Sequence, residues 1–297
     1  MSKLLPMAGD ESTAPFQRIA IVGFGLIGAS MALAVRRLWP SVLIVAIDRK
    51  DVIETAMRMH AADVGGDDLV MAADAQLIVL AAPVLANVRI LSELPDYVPG
   101  EAAVTDVGST KRDVVAAART LPRRLSFIGG HPLAGAAVGG VESARPDLFA
   151  ERPWILTPTE DTSGTSREGV SSLVEALGAR VHLMTPDAHD SLVAYLSHLP
   201  QLAASALMHL VGERTGGDGL ALAGRGLRDT TRLAASPVDI WRDITASNQD
   251  NIARAIDELV AILQRLRPPS DDPDALERTF DSAAHWKRVL DRVVEPT

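Results

Sequence analysis

The stretch Arg18-Ile19-Ala20-Ile21-Val22-Gly23-Phe24-Gly25-Leu26-Ile27-Gly28-Ala29-Ser30 decides the fold. Residues 19–22 form a short, wholly apolar run, the pattern of a strand buried on both faces. The run breaks at Gly23, and an apolar helical period begins at Leu26. The three glycines therefore stand between a strand and a helix, the context that gives G-x-G-x-x-G its mechanical meaning. Gly23 permits the turn, Gly25 lets backbone approach a pyrophosphate, and Gly28 lets the helix sit tightly on the strand. Leu26 and Ile27 open that helix, whose unpaired N–H groups and positive dipole end face the phosphates. A glycine-rich turn without a ligand is the plainer alternative.

The next strand supplies a second check. Residues 42–47 are apolar and end in Asp48, in the window about twenty residues after the glycines. A carboxylate there accepts hydrogen bonds from the adenosine ribose and repels a 2′-phosphate, so NAD is favoured. Arg49 keeps NADP open, because a guanidinium can hold that phosphate. Asp48 also reads as a helix N-cap or turn residue.

With 297 residues, 47% of them apolar, the chain has room for one large domain or two ordinary ones. A net charge of −9 and no long basic run argue against nucleic acid as a partner. A small anionic substrate must then find local cations. The chain has no cysteine, which removes disulfides and thiolate catalysis and suits a cytoplasmic location. No apolar stretch reaches the length of about eighteen residues that spans a membrane. No metal site is expected. Residues 1–16 lack an apolar signal core and read as a flexible tail.

Strands at 75–82, 102–105 and 125–128 alternate with helices at 51–60, 83–94 and 110–119, which predicts a doubly wound, mostly parallel sheet. Ala82 and Pro83 end a strand of the kind that usually passes beneath the cofactor in a dinucleotide fold, with a plain buried strand as the alternative. Asp106-Val107-Gly108-Ser109-Thr110-Lys111 lies at a strand's carboxyl end, where ligands bind in open α/β sheets. Gly129-Gly130-His131-Pro132 reads as a loop presenting His131, an acid–base candidate. After Pro186 the pattern turns helical: 190–211, an irregular 220–235, a long helix over 237–266 and another over 274–294. The expected organisation is a tail (1–16), a Rossmann-like dinucleotide-binding domain (17–186) and an all-α substrate and dimerisation domain (187–297). Its long apolar faces suit a homodimer.

From about residue 18 to residue 266 the chain resembles the prephenate and arogenate dehydrogenases of tyrosine biosynthesis. Besides the glycine turn, the resemblance rests on the segment 106–111, Gly-Gly-His-Pro-Leu-Ala-Gly at 129–135, and Asp-Leu-Phe at 147–149. It continues through Arg-Pro-Trp-Ile-Leu-Thr-Pro at 152–158, Ser-His-Leu-Pro-Gln at 197–201 and Arg-Asp-Thr-Thr-Arg-Leu-Ala at 228–234. The ordered set is specific where each piece alone is not. It implies NAD-dependent oxidative decarboxylation of a cyclohexadienyl dianion. By this resemblance His131 takes the proton of the substrate's C4 hydroxyl, and Ser109 orients that histidine and contacts the nicotinamide. Ser109 also reads as an N-cap. The resemblance makes Arg232 the grip on a substrate carboxylate, with Arg228 and Arg225 as neighbouring rivals. It places Ser197 and His198 at a helix start facing the cleft, and His198 also reads as a buried structural histidine.

Two departures stand out. Gln201 replaces a second histidine that contacts substrate in some members. Ala136-Ala137 replace an acidic residue, which mildly favours prephenate over arogenate. The chain leaves no room for an appended regulatory domain or a fused chorismate mutase. Rival readings are a 4-amino-4-deoxyprephenate dehydrogenase, a β-hydroxyacid dehydrogenase and a non-catalytic NAD sensor. The second relies on a lysine from its helical domain, and residues 186–267 contain none.

Overall fold

The computed structural model describes residues 13–135, 139–269 and 272–294. Most of the expected tail, and the Ala136-Ala137 departure, lie outside the described residues. Packing divides the chain into two compact units, 1–249 and 250–297.

The first unit is built on eight strands. They are β1 (Arg18–Val22), β2 (Leu43–Ile47), β3 (Val64–Gly66), β4 (Leu77–Leu80), β5 (Ala102–Asp106), β6 (Leu125–Pro132), β7 (Pro153–Thr157) and β8 (Arg180–Leu183). Their spatial order is 3-2-1-4-5-6-7-8, and every pairing is parallel except β6 with β7. The first six positions are the doubly wound dinucleotide order, whose crevice opens between β1 and β4 where the order reverses. The mostly parallel sheet expected from the alternation is therefore present, with β3, β7 and β8 at its flanks.

Alternation along the strands divides the core. Ile19 and Ile21, with Leu77 and Val79, pack against α1 (Leu26–Leu38) on one face. Ala20 and Val22, with Ile78 and Leu80, pack against α3 (Val84–Tyr97) and α4 (Arg112–Ala118) on the other. The period of two along a buried strand produces this segregation. Helices α2 (Lys50–Arg58) and α5 (Gly164–Ala176) complete the layers.

The segment expected as a loop around His131 is strand. β6 continues through Pro132 because β7 pairs with it antiparallel, His131 opposite Ile155. The glycines serve that close packing. A Cβ on Gly130 would lie 2.6 Å from the Asp106 carbonyl oxygen.

The helical run after β8 is more broken than its periodicity predicts. α6 (Pro186–Val193) passes through a π-helical turn, Ala194–His198, into α7 (Leu199–Leu220), which has a non-helical residue at Gly216. α8 (Arg225–Thr230) and a 3-10 turn, Arg232–Ala235, follow. The long helix expected over 237–266 is two, α9 (Val238–Ser247) and α10 (Gln249–Leu266), parted at Asn248 with φ −133°. In the second unit α11 (Ala275–Val294) follows the Pro268-Pro269 pair. No helix among the described residues is long and apolar enough to cross a membrane.

Two glycines test this packing in opposite directions. Gly130→Ala is expected to destabilise the fold by about 1–3 kcal/mol, since the obstacle is backbone rather than a flexible side chain. Gly25→Ala, whose Cβ meets nothing within 4 Å, should cost at most about 0.5 kcal/mol. Urea midpoints compare the two, and equal losses would contradict the account.

Candidate active site

A cavity of about 640 Å³ opens at the carboxyl ends of β1, β2 and β4, lined by Gly23, Gly25, Asp48, Arg49, Ala82 and Pro83 among others. Gly23 has φ +92°, and a Cβ there would strike the Ala81–Ala82 backbone. Gly25 is the N-cap of α1 and offers no side-chain acceptor. Leu26 and Ile27 begin α1, so the orphan donors of its first turn lie beside the glycine turn. The space that a Cβ on Gly25 would enter is free of protein atoms. A helix start with unpaired N–H groups and room beside it suits a phosphate group.

Asp48 stands at the tip of β2. Its Oδ2 accepts from the Phe24 N–H at 2.6 Å and its Oδ1 from the Arg49 N–H at 2.7 Å. It therefore ties the second strand to the glycine turn. Arg49 is exposed and pairs with Asp51 at 3.4 Å.

Two strands beyond β4, a second cluster surrounds the tip of β6. Lys111, with no exposed surface, forms an ion pair with Asp106 and donates to the Gly130 carbonyl at 2.7 Å. Asp106 also accepts from Gly108 N–H at 2.8 Å and Gly130 N–H at 3.1 Å. These bonds lock the turn after β5 onto the strand that carries His131. Burial lowers the Lys111 pKa, although Asp106 and Asp190 oppose the shift.

His131 Nδ1 lies 2.8 Å from Nε2 of His189, and His189 Nδ1 lies 2.7 Å from Asp190 Oδ1. Both partners belong to α6. Asp190 in turn accepts the backbone N–H groups of Lys111 at 2.7 Å and Arg112 at 2.9 Å, at the start of α4. Burial alone would raise the Asp190 carboxyl, but hydrogen bonds from His189, Arg112 and Lys111 hold it below the usual range. Burial, with the nearby His189, Lys111 and His198, pushes His131 well below the ordinary imidazole value. A neutral ring is the form that can accept a proton.

Asn248, at the break between α9 and α10, donates to the Asp190 carbonyl at 2.8 Å and approaches His198 Nδ1 at 3.3 Å. His198 is buried, packs edge-on to Trp241, and is lowered to about 4, chiefly by burial. Thr110 and Ser247 hydroxyls meet at 2.8 Å. The helical segment is thus bonded to the start of α4 at several points.

The other predicted residues fall as follows. Ser109 sits half-buried in the turn after β5, and no hydrogen bond joins it to His131 among the described residues; His189 holds that ring. Ser197 is exposed within the π-helical turn, so it and His198 stand mid-helix rather than at a helix start. Gln201 is buried, and its amide is occupied. Nε2 donates to the Leu233 carbonyl at 2.8 Å and Oε1 accepts from Ser236 at 3.0 Å. It brackets the 3-10 turn that carries Arg232. Arg232 is exposed, without an ion-pair partner among the described residues. His189, Asp190 and Asn248 escaped the sequence reading. Their signal was a His-Asp pair one residue apart inside an otherwise apolar helical period. The described residues hold no cluster of potential metal ligands.

The lowered histidines set a stability window. An unfolded histidine titrates near 6.5. With the folded pKa of His198 at about 4, the unfolded chain binds more protons between those values. The thermal midpoint should therefore fall as pH drops from 6.5 towards 4, and His198→Gln should make the fall shallower. A midpoint unchanged over that interval would contradict the buried neutral histidines.

Comparison with known proteins agrees with this geometry. The family model for the prephenate dehydrogenase nucleotide-binding domain matches residues 31–183, and that for the prephenate dehydrogenase dimerization domain matches 185–281. A prephenate dehydrogenase of Bacillus subtilis is 34% identical over 280 residues, covering 92% of this chain and 76% of its own. The crystal structure of A. aeolicus prephenate dehydrogenase, in complex with hydroxyphenyl propionate and NAD+, superposes with a TM-score of 0.81 at 29% identity, covering 92% of this chain and 96% of that one. Synechocystis arogenate dehydrogenase superposes at 0.76 with 30% identity, covering 92% and 99%. With both halves matched in order by the family models and a relative 34% identical over 92% of the chain's length, this chain belongs to the prephenate dehydrogenase family.

Proposed function

We propose that this chain oxidises prephenate with NAD, releasing carbon dioxide and 4-hydroxyphenylpyruvate in tyrosine biosynthesis. The observation that carries the reading is His131, held against His189 at the tip of β6 on the same sheet edge as the dinucleotide cavity, where burial keeps its pKa below the ordinary imidazole value. When bound, NAD supplies the acceptor for the C4 hydride, and the substrate loses its C1 carboxylate as carbon dioxide to become aromatic. Gly23, Gly25 and the start of α1, with Leu26 and Ile27, hold the pyrophosphate; Asp48 holds the ribose. Ala82 and Pro83 line the floor, and Ser109 contacts the nicotinamide. His131 accepts the proton of the C4 hydroxyl. Arg232 grips a substrate carboxylate as a bidentate fork. Ser197 and His198 border the substrate, and Gln201 supports it by holding the Arg232 turn.

Residues 17–186 form the cofactor domain in this reading, and 187–297 the substrate and dimerisation part. A homodimer would cover the apolar side chains that α10 and α11 expose, among them Leu263, Phe280, Trp286 and Leu290. A cytoplasmic location fits a cysteine-free enzyme of biosynthesis.

NADH formation with prephenate, arogenate and 4-amino-4-deoxyprephenate side by side tests the substrate. Turnover chiefly of prephenate is expected, and turnover of arogenate alone would overturn the choice. His131→Asn should lower kcat by about 10²- to 10⁴-fold while NAD binding, followed by cofactor fluorescence quenching, persists. Near-normal turnover would remove His131 from the chemistry.

Arg232→Ala should remove a contact of roughly 2–3 kcal/mol, read chiefly as a KM raised about 30- to 100-fold. An unchanged KM would shift the role to Arg228 or Arg225. Asp48→Ser should relax the preference for NAD by ending repulsion of the 2′-phosphate. If the unaltered enzyme already prefers NADP, Asp48 has another task.

A further inference from the structure

We infer that His189 is the positioning residue that fixes the tautomer of His131, protonated at Nδ1 and open at Nε2. The inference rests on the reading of His131 as the base. It starts from Asp190, whose carboxylate accepts two backbone N–H groups and the His189 ring at once. An ionised carboxylate has only lone pairs to offer, so the hydrogen between the two belongs to His189 Nδ1. A singly protonated His189 then presents a lone pair at Nε2. The atom facing that lone pair, at 2.8 Å, is His131 Nδ1. It must donate, and a neutral imidazole has a single N–H. Nε2 of His131 is therefore the nitrogen left to take a proton.

The chain Asp190–His189–His131 also serves the moment after transfer. Once Nε2 has gained the substrate's proton, His131 is a cation whose Nδ1–H still points to His189. The negative charge of Asp190 lies one ring further along the same line of bonds. The arrangement parallels the carboxylate that orients the histidine of a Ser-His-Asp triad, with a second imidazole inserted. It differs in where the parts come from: His131 stands on the sheet, and both positioning groups stand on α6. Asp190 is fixed to α4 rather than free to rotate, so the tautomer is set by the packing of α6 on α4. Ser109 is not needed for the orientation.

Two-bond nitrogen–proton spectra of the full chain, with 15N-labelled histidine, read the tautomer directly. His131→Asn identifies the His131 signals by their loss. The expected spectrum at neutral pH shows Nδ1 protonated and Nε2 free. A protonated Nε2, or a rapid mixture of the two forms, would overturn the proposal; the first result is what a doubly protonated His189 would produce. A pair of variants adds a kinetic test. The amide oxygen of His189→Gln can accept where the imidazole Nε2 stood, whereas His189→Leu cannot.

The Leu variant should lose about a hundredfold in kcat and show mixed His131 tautomers, while NAD affinity holds. The Gln variant should recover to within about tenfold of the unaltered enzyme and keep the Nδ1–H form. Equal losses in two variants that melt like the unaltered enzyme would reject an acceptor role for His189. Should the Leu variant not fold, the native spectrum and the Gln variant still decide. Full turnover of His131→Asn beside the expected native spectrum would sink the base assignment alone and leave the positioning intact.

Discussion

Asp190 carries a charge into the interior and is bonded there from two directions. Its carboxylate accepts the first free N–H groups of α4, donors 78 and 79 residues earlier in the chain, and the ring of the neighbouring His189. Burying a carboxylate costs several kcal/mol unless its lone pairs are filled, and here they are. The start of α4 likewise needs acceptors for donors that the helix itself cannot satisfy. Each need meets the other. Removing one partner of such a buried set costs about 3–5 kcal/mol, because the remainder is left uncompensated. The place of α6 on the sheet unit, and with it the place of His189 beside His131, depends on this contact.

Around that contact, charge is arranged to keep imidazoles neutral. Lys111 neutralises Asp106 and contributes a nearby positive charge that disfavours a second one on His131. Asn248 fills the Nδ1 position of His198 with a donor rather than a proton acceptor. Arg232 stays on the surface, on the turn that Gln201 braces from beneath. The buried cation, Lys111, and the exposed one, Arg232, are thus held in opposite ways.

How much of this the sequence disclosed follows from the range of the interactions. The glycine turn, Asp48 and the strand–helix alternation are local or periodic features, legible because the 2.0 and 3.6 residue periods and the glycine spacing are imposed within a few neighbours. His131 was legible as a residue but not as a strand position, since its conformation is set by pairing with β7. The break at Asn248 was hidden for a similar reason. Its side chain bonds the Asp190 carbonyl, a partner 58 residues away. The bonds of Gln201 were hidden likewise, because the groups its amide meets lie in the turn at 233–236. The His189-Asp190 pair carried no local signal stronger than a polar step in an apolar helix. Only the packing of α6 on α4 gives it meaning.

The central claim is that a histidine held neutral by burial and by its neighbours does the acid–base work. The pH dependence of kcat/KM for prephenate tests it most directly, because that profile reports the ionisation of the free enzyme. A base must be unprotonated, so activity is lost as pH falls through its pKa. The account predicts that kcat/KM holds steady as pH falls through 6.5 and declines only at more acidic values, and that this limb disappears from the residual activity of His131→Asn. A decline centred at or above 6.5, or a limb that survives the substitution, would contradict it.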